Sequence, residues 1–299
     1  MADNIDIIEI KSQKKLNEFI NFPLKLYKND PFYVPPLISD LKKLFSEKNP
    51  FFLHSKVHYF IARKDGVIAG RIVSIINHRH IEFHNEKAGF FGFFESIDDQ
   101  KVAEALLSKV SSELKKNGME IMRGPMNFST NEECGFLFEG YDSSPMLMMP
   151  YNPPYYNTFM ENYGMKKAKD LFAYILDTPE ELPLKIYRVA EIASKFGITV
   201  RQIDKNMFER DMKIFKDVYN SAWSKNWGFI PITDEELVFL GNNLKPVVVP
   251  DMTIIAEKDN EPIGFLGLLP DYNFVLKHMK GKLNPLTIIK ALYYSKKIK

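Results

Sequence analysis

The densest set of chemically useful side chains lies in one short stretch. Residues 127–134, Asn-Phe-Ser-Thr-Asn-Glu-Glu-Cys, bring two amides, two hydroxyls, two carboxylates and the chain's single thiol into eight positions. In a loop, Asn127, Ser129 and Asn131 can hold a polar substrate, and Glu132 or Glu133 can act as a general base. The same residue types also satisfy themselves, because Asn and Ser side chains bond their own backbone in tight turns. The sequence leaves both readings open. Glu95 closes the apolar run Gly89–Glu95 (GFFGFFE) just before a helix start, where a carboxylate interacts favourably with the helix dipole. Two Pro-flanked aromatic clusters, PFYVPP at 31–36 and YNPPYY at 151–156, can line an apolar pocket or staple loops onto the core. Tyr151 and Asn152 of the second cluster are candidate substrate contacts.

Five of the six histidines fall between His54 and His84. Read as part of a strand, His78 and His80 share one face, with Glu82 and Glu86 close by, but the spacing fits no zinc pattern. A solvated, charged strand end accounts for them, and no metal is expected. Cys134 has no sequence partner that would activate it and reads as a small buried thiol. One cysteine excludes an internal disulfide and a Cys-based zinc site.

These residues are carried by alternating strands and helices. Strands are expected at Ile5–Ile10, at Val57–Ile76 as a hairpin turning on Lys64-Asp65-Gly66, at Gly89–Glu95 and at Met119–Arg123. Helices are expected at Ser12–Tyr27, Leu37–Phe45, Asp98–Asn117 (capped by Asp98) and Pro153–Tyr163. Further strands are expected at Pro145–Pro150 and Met165–Leu176. After an acidic, Pro-containing linker at Asp177–Pro183 come helices at Leu184–Phe196, Phe208–Ala222 and Asp234–Asn242. A strand at Ile198–Ile203, a second hairpin at Met252–Leu269 and an apolar, basic helix from Leu283 complete the pattern.

Bulk composition narrows the function classes. The 40 basic and 38 acidic residues leave a formal charge of +2, which gives no basic stripe for nucleic acid. The N-terminus lacks an apolar signal region, and no apolar run approaches the ~20 residues of a membrane span. With one cysteine, these features predict a cytoplasmic protein with no membrane partner.

The second hairpin lies on the first without gaps. Ile61-Ala62-Arg63-Lys64-Asp65-Gly66 matches Ile255-Ala256-Glu257-Lys258-Asp259-Asn260, and Gly70 matches Gly264 at the same offset. Phe32-Tyr33-Val34-Pro35 lies opposite Gly228-Phe229-Ile230-Pro231. The chain therefore reads as two α/β units, 1–178 and 179–299, the second lacking its own second half.

Strand, two helices, antiparallel hairpin, strand, helix, strand, helix, strand resembles the GNAT superfamily of acyl-CoA N-acyltransferases. Tyr155–Leu176 is similar to its closing helix, glycine and strand. Phe90–Glu95, Arg123–Gly135 and Met148–Tyr156 resemble a bacterial family of tandem GNAT proteins. The resemblance implies an α/β fold of tandem GNAT-like units, each a mixed sheet flanked by helices. It implies transfer of an acyl group, in the first instance acetyl, from acetyl-CoA or another acyl-CoA to a small-molecule amine. It also implies a general base at or near Glu95, and an acceptor pocket shaped by the region of Trp223, Asn226 and Trp227. A non-catalytic module that binds a ligand or partner is the alternative. GNAT enzymes hold the pyrophosphate at the turn after the fourth strand, where free N–H groups and glycine favour an anion. Here that turn is Glu95-Ser96-Ile97-Asp98-Asp99-Gln100, with three carboxylates and no glycine. The resemblance assigns no cofactor-binding residues in this chain.

Overall fold

The chain begins with β1 (Ile5–Glu9), α1 (Gln13–Leu26) and α2 (Ile38–Leu44). The hairpin β2 (Ser55–Lys64) and β3 (Val67–Asn77) follows, then α3 (His78–His84) and β4 (Ala88–Ser96). Next come α4 (Gln100–Lys116), β5 (Ile121–Arg123) and α5 (Tyr155–Asn162). The computed structural model describes residues 4–177 and 179–298. Contacts divide it into two units; the first comprises the described residues of 1–167, 228–230 and 271–299, the second those of 168–227 and 231–270.

In the first unit the sheet order is β1-β2-β3-β4-β5, antiparallel except for the parallel pair β4–β5. The hairpin turns on Asp65 and Gly66, both left-handed (φ 50° and 80°), as the Asp-Gly pair predicts. A crossover helix between β4 and β5 forces their parallel pairing. The sheet is buried on both faces. Phe60, Ile72, Phe91 and Phe94 pack against Val102, Leu106 and Val110 of α4 and against Tyr156 and Phe159 of α5. Ile61, Val73, Ile75, Phe90 and Phe93 pack on the other side with Phe19 and Ile20 of α1 and with Phe45 and Phe128. Two-sided burial explains why β3 and β4 read as nearly continuous apolar runs.

The second unit holds α6 (Leu184–Lys195), β6 (Ile198–Gln202), α7 (Phe208–Trp223), α8 (Asp234–Leu244), β7 (Thr253–Lys258) and β8 (Glu261–Gly267). The sheet β6-β7-β8 is antiparallel. Ile203, Phe208, Met212, Ile232, Leu237 and Val248 form its core. Asp211, fully buried, accepts two hydrogen bonds from Arg201 (3.0 and 2.9 Å) and one from the Asp204 backbone (2.8 Å). The chain ends with α9 (Asn273–Met279) and α10 (Pro285–Ser295), which pack with the first unit.

Four expectations need correction. Asp99, not Asp98, caps α4; its backbone is extended and its carboxylate accepts from Lys101 N at 2.9 Å. His78 and His80 begin a helix rather than end a strand, because the Asn77 side chain caps α3 by accepting from Arg79 N and His80 N. Pro145–Pro150 forms no strand; the Pro145 carbonyl accepts from Asn273 Nδ2 of α9 at 2.8 Å instead of joining a ladder. Met165–Leu176 also forms no strand, and Phe172, Tyr174 and Ile175 are 76%, 81% and 92% exposed. Among the described residues, no helix is long and apolar enough to cross a membrane.

Candidate functional site

The site begins with an irregularity in β4. Arg71 pairs with Glu95, but Val73, two residues on, pairs with Gly92, so β4 carries one extra residue opposite β3. Phe93 takes a left-handed φ of 49° at that bulge. The consequence is visible in the packing. Phe90 and Phe91 face opposite cores, and so do Phe93 and Phe94, yet Phe93 shares a face with Phe90. Strict alternation would put Phe93 with Phe91. The extra residue therefore turns Glu95 onto the face of Phe93, away from α4. Gly92 is required there, since a Cβ would lie 1.8 Å from the Met126 carbonyl oxygen.

A bulge leaves a backbone group without its ladder partner. Phe93 N–H donates instead to Asn127 Oδ1 at 2.8 Å. The other end of that amide, Asn127 Nδ2, donates to Glu133 Oε2 at 3.2 Å, and Asn127 N–H donates to the Glu133 carbonyl at 2.9 Å. One side chain thus ties the bulge to the loop carboxylate.

Glu95 and Glu133 differ in their partners. Glu95 Oε2 accepts from Tyr27 Oη at 2.6 Å and from Tyr156 Oη at 2.8 Å. Its Oε1 lies 3.6 Å from Arg71 Nη2. Burial raises the Glu95 pKa, and Arg71 and the tyrosine hydrogen bonds oppose that without reversing it. Glu133 has Asn127 as its one side-chain hydrogen-bond donor among the described residues. Burial raises its pKa, the Asn127 bond opposes, and the charge of Glu95 pushes it further up. Glu133 is nonetheless reached by solvent.

Aromatic rings stand beside these carboxylates. Tyr27 stacks on Tyr33 with centroids 4.3 Å apart, and Tyr151 meets Tyr27 edge-on at 5.9 Å. Tyr151 Oη donates to Asp30 Oδ2 at 2.7 Å, while Asp30 Oδ1 accepts from the backbone of Phe32 and Tyr33. Burial and the Glu95 charge raise the Tyr33 pKa, with Glu133 adding to the shift, so this ring senses both carboxylates.

The remaining candidates separate. Ser129 Oγ accepts from Asn131 N at 3.2 Å, the self-satisfying turn that such residues favour. Asn131 Nδ2 donates to the Ile230 carbonyl at 3.2 Å. Asn152 is spent on the backbone of Leu137 and Pro153. Asn226 and Trp227 are exposed residues of the second unit. Glu95 is no helix-dipole carboxylate, because its oxygens are taken by Tyr27, Tyr156 and Arg71. Burial raises the Cys134 pKa, which opposes a nucleophilic role. Among the described residues, no group of three or more His, Cys, Asp or Glu is placed to hold a metal ion. His80 is buried with Nε2 3.2 Å from Glu86, which Arg123 grips with two hydrogen bonds. Tyr27 and Arg71 escape sequence reasoning, and Tyr156 is reached only as a member of the aromatic cluster at 151–156. Arg71 alone leaves a signal, a charge inside an apolar strand.

The turn after β4 does not fit a pyrophosphate. Ser96 N–H donates to Tyr156 Oη, Ile97 N–H to the Ala69 carbonyl and Asp99 N–H to the Ile97 carbonyl. Lys101 N–H goes to the Asp99 carboxylate, which also takes Lys64 Nζ at 2.7 Å. The donors that would cradle a phosphate are engaged, and an anion already occupies the N-cap.

No family model matches the chain. Protein YghO of Escherichia coli K12 is 34% identical over 282 residues, spanning 94% of this chain and 72% of that protein. The bacterial ceramide synthase of Caulobacter vibrioides is 32% identical over 292 residues, spanning 97% of this chain and 76% of that protein. An aminoglycoside acetyltransferase from a soil metagenomic sample, solved with sisomicin, aligns at TM-score 0.36 and 14% identity over 58% of this chain and 97% of that one. A tandem GNAT protein from the clavulanic acid biosynthesis pathway aligns at TM-score 0.45 and 10% identity over 88% of this chain and 73% of that one.

Proposed function

The chain belongs to the family that contains Protein YghO and the bacterial ceramide synthase, and on that premise we propose that it is a GNAT-like acyltransferase that acylates an amine, with Glu133 as the base that takes the amine's proton. Forming the C–N bond breaks the acyl carbonyl's bond to its leaving group and leaves a proton on nitrogen. That proton needs an acceptor which is accessible and more basic than an ordinary carboxylate. Glu133 has both properties, and the observation that carries the reading is its single side-chain donor, Asn127. Glu95, held by two tyrosines and beside Arg71, is a positioning residue that orients Tyr27 and Tyr156. The tyrosine wall suits an apolar portion of the acceptor.

The relative's name suggests the acceptor class, since ceramide is the N-acyl derivative of a long-chain amino alcohol. A primary amine on a long alkyl chain is therefore the acceptor of choice here, and an acyl thioester is the donor class. Because the turn after β4 is closed, a CoA pyrophosphate is not held at the N-terminus of α4. We also read the two units as copies of one plan. Both hairpins shift register at the matching positions Ala62/Arg63 and Ala256/Glu257, and both turn on a left-handed pair, Asp65-Gly66 and Asp259-Asn260.

The closed turn favours one second reading, a binding module without catalysis. Incubating the chain with acyl-CoAs of several lengths and a long-chain amino alcohol, with mass spectrometry of the products, separates the two. An N-acyl product that Glu133→Gln abolishes supports the enzyme. Saturable binding of the amino alcohol without product supports the module and defeats the enzyme.

A further inference from the structure

From Tyr272 to Lys299 the sequence has seven lysines and no acidic residue, although the whole chain is close to neutral. Much of this stretch is an ordered helical hairpin. Val275 and Met279 of α9 are buried, Asn273 and Lys277 bond Pro145 and Ser144, and Ile38 N–H donates to the Gly281 carbonyl. One side of α10 is fixed against α9. Tyr294 stacks on His278 at 3.6 Å and meets Phe274 edge-on at 5.8 Å, and Thr287, two turns earlier on the same side, is buried.

Among the described residues, the opposite side carries large apolar residues that stand exposed, and Lys297 Nζ lies over the Tyr293 ring at 4.2 Å from its centroid. Leu286 is 74% exposed, Ile289 64%, Leu292 64% and Tyr293 56%. Their spacing of three to four residues makes a continuous stripe. Lys290, Lys296 and Lys297 are exposed on the same helix or just past its end. An apolar stripe with tyrosine and flanking lysines is the pattern of a helix lying in a membrane interface. Protein interfaces, by contrast, are depleted in lysine. A second copy fits poorly as well, because a two-fold contact would set like-charged lysines against each other.

We propose that the outer face of α10 is a peripheral membrane-binding surface, its Leu286, Ile289, Leu292 and Tyr293 entering the interface of an anionic bilayer and its lysines meeting the headgroups. A partner of this kind departs from the sequence expectation of no membrane contact, which rested on the lack of a spanning segment. Surface binding needs no such segment. The inference stands independently of the catalytic reading.

Vesicle flotation of the whole chain tests it, with phosphatidylcholine vesicles with and without phosphatidylglycerol. Binding is expected to the anionic vesicles, weakening as salt rises. Ile289→Glu/Leu292→Glu and Lys290→Glu/Lys296→Glu/Lys297→Glu should each lower the partition coefficient by roughly tenfold or more. Both variants change outward-facing side chains, so circular dichroism should remain that of the parent. No binding to anionic vesicles, equal binding to neutral ones, or binding unmoved by either variant overturns the proposal. Concentration-dependent dimers that Ile289→Glu/Leu292→Glu disperses, without vesicle binding, overturn it in favour of self-association.

Discussion

Asn127 makes two separable contributions, and two substitutions divide them. Its Oδ1 accepts the Phe93 N–H freed by the bulge (2.8 Å), and its Nδ2 donates to Glu133 (3.2 Å). Asn127→Ala removes both. Phe93 is buried and its backbone is left-handed, so the stranded N–H should lower stability by roughly 1–3 kcal/mol. Asn127→Asp keeps an acceptor for Phe93 and should lose less. It also sets a second negative charge beside Glu133. Both variants remove the hydrogen bond that opposes the raised Glu133 pKa, so both should move it further up. A base is active when deprotonated, so the acid limb of kcat/KM should shift to higher pH in both, and more in Asn127→Asp. Urea unfolding supplies the stability comparison, and acyl-transfer rates across pH supply the limb. The reasoning fails if Asn127→Ala unfolds within about 0.5 kcal/mol of the parent, the scale of an ordinary surface change. A limb moving to lower pH in either variant is equally damaging.

Two further outcomes test the frame around the site. Arg123 hydrogen bonds, with a smaller contribution from His80, hold the Glu86 pKa down to about 2 from its ordinary 4.5. A depressed carboxyl stabilises the fold above its unfolded pKa and loses that stability as pH falls through the folded one. Stability should therefore drop between about pH 4.5 and about pH 2, and Glu86→Gln should flatten that drop in acid unfolding monitored by circular dichroism. In the second unit, Asp211→Ala strands the Asp204 N–H and takes a carboxylate from Arg210 and from Arg201, which keeps Glu257. The loss should be roughly 2–3 kcal/mol in denaturant melts, less than a fully buried pair would show, because the Arg201 side chain is 31% exposed.

How far the sequence reaches depends on the range of the interaction that decides each feature. The Lys64-Asp65-Gly66 turn is local, and the structure has it as read. The α3 helix is also local, since Asn77 caps it, but alternation of His78 and His80 suggests a strand and hides the cap. Met165–Leu176 has a strand's composition, but pairing needs a neighbour, and β5 offers a ladder of only Ile121–Arg123 with β4. The site divides in the same way. Asn127 and Glu133 are six residues apart and stand out as a cluster. Tyr27 and Tyr156 reach Glu95 across 68 and 61 residues, and nothing in their surroundings announces it. Gly92 inside GFFGFFE is the one local mark of the bulge, because glycine within a strand signals a kink or a close backbone approach.

The most direct measurement is the pH dependence of acyl transfer in Glu133→Gln and Glu95→Gln, followed by release of the free thiol from an acyl thioester. Glu133→Gln should lower kcat/KM by about 10²–10⁴ and abolish the acid limb. Glu95→Gln should keep the limb and move it to lower pH, because the charge that pushes the Glu133 pKa up is gone. A Glu133→Gln protein with the parent's rate and limb, or a limb lost only in Glu95→Gln, would contradict the assignment of Glu133 as the base.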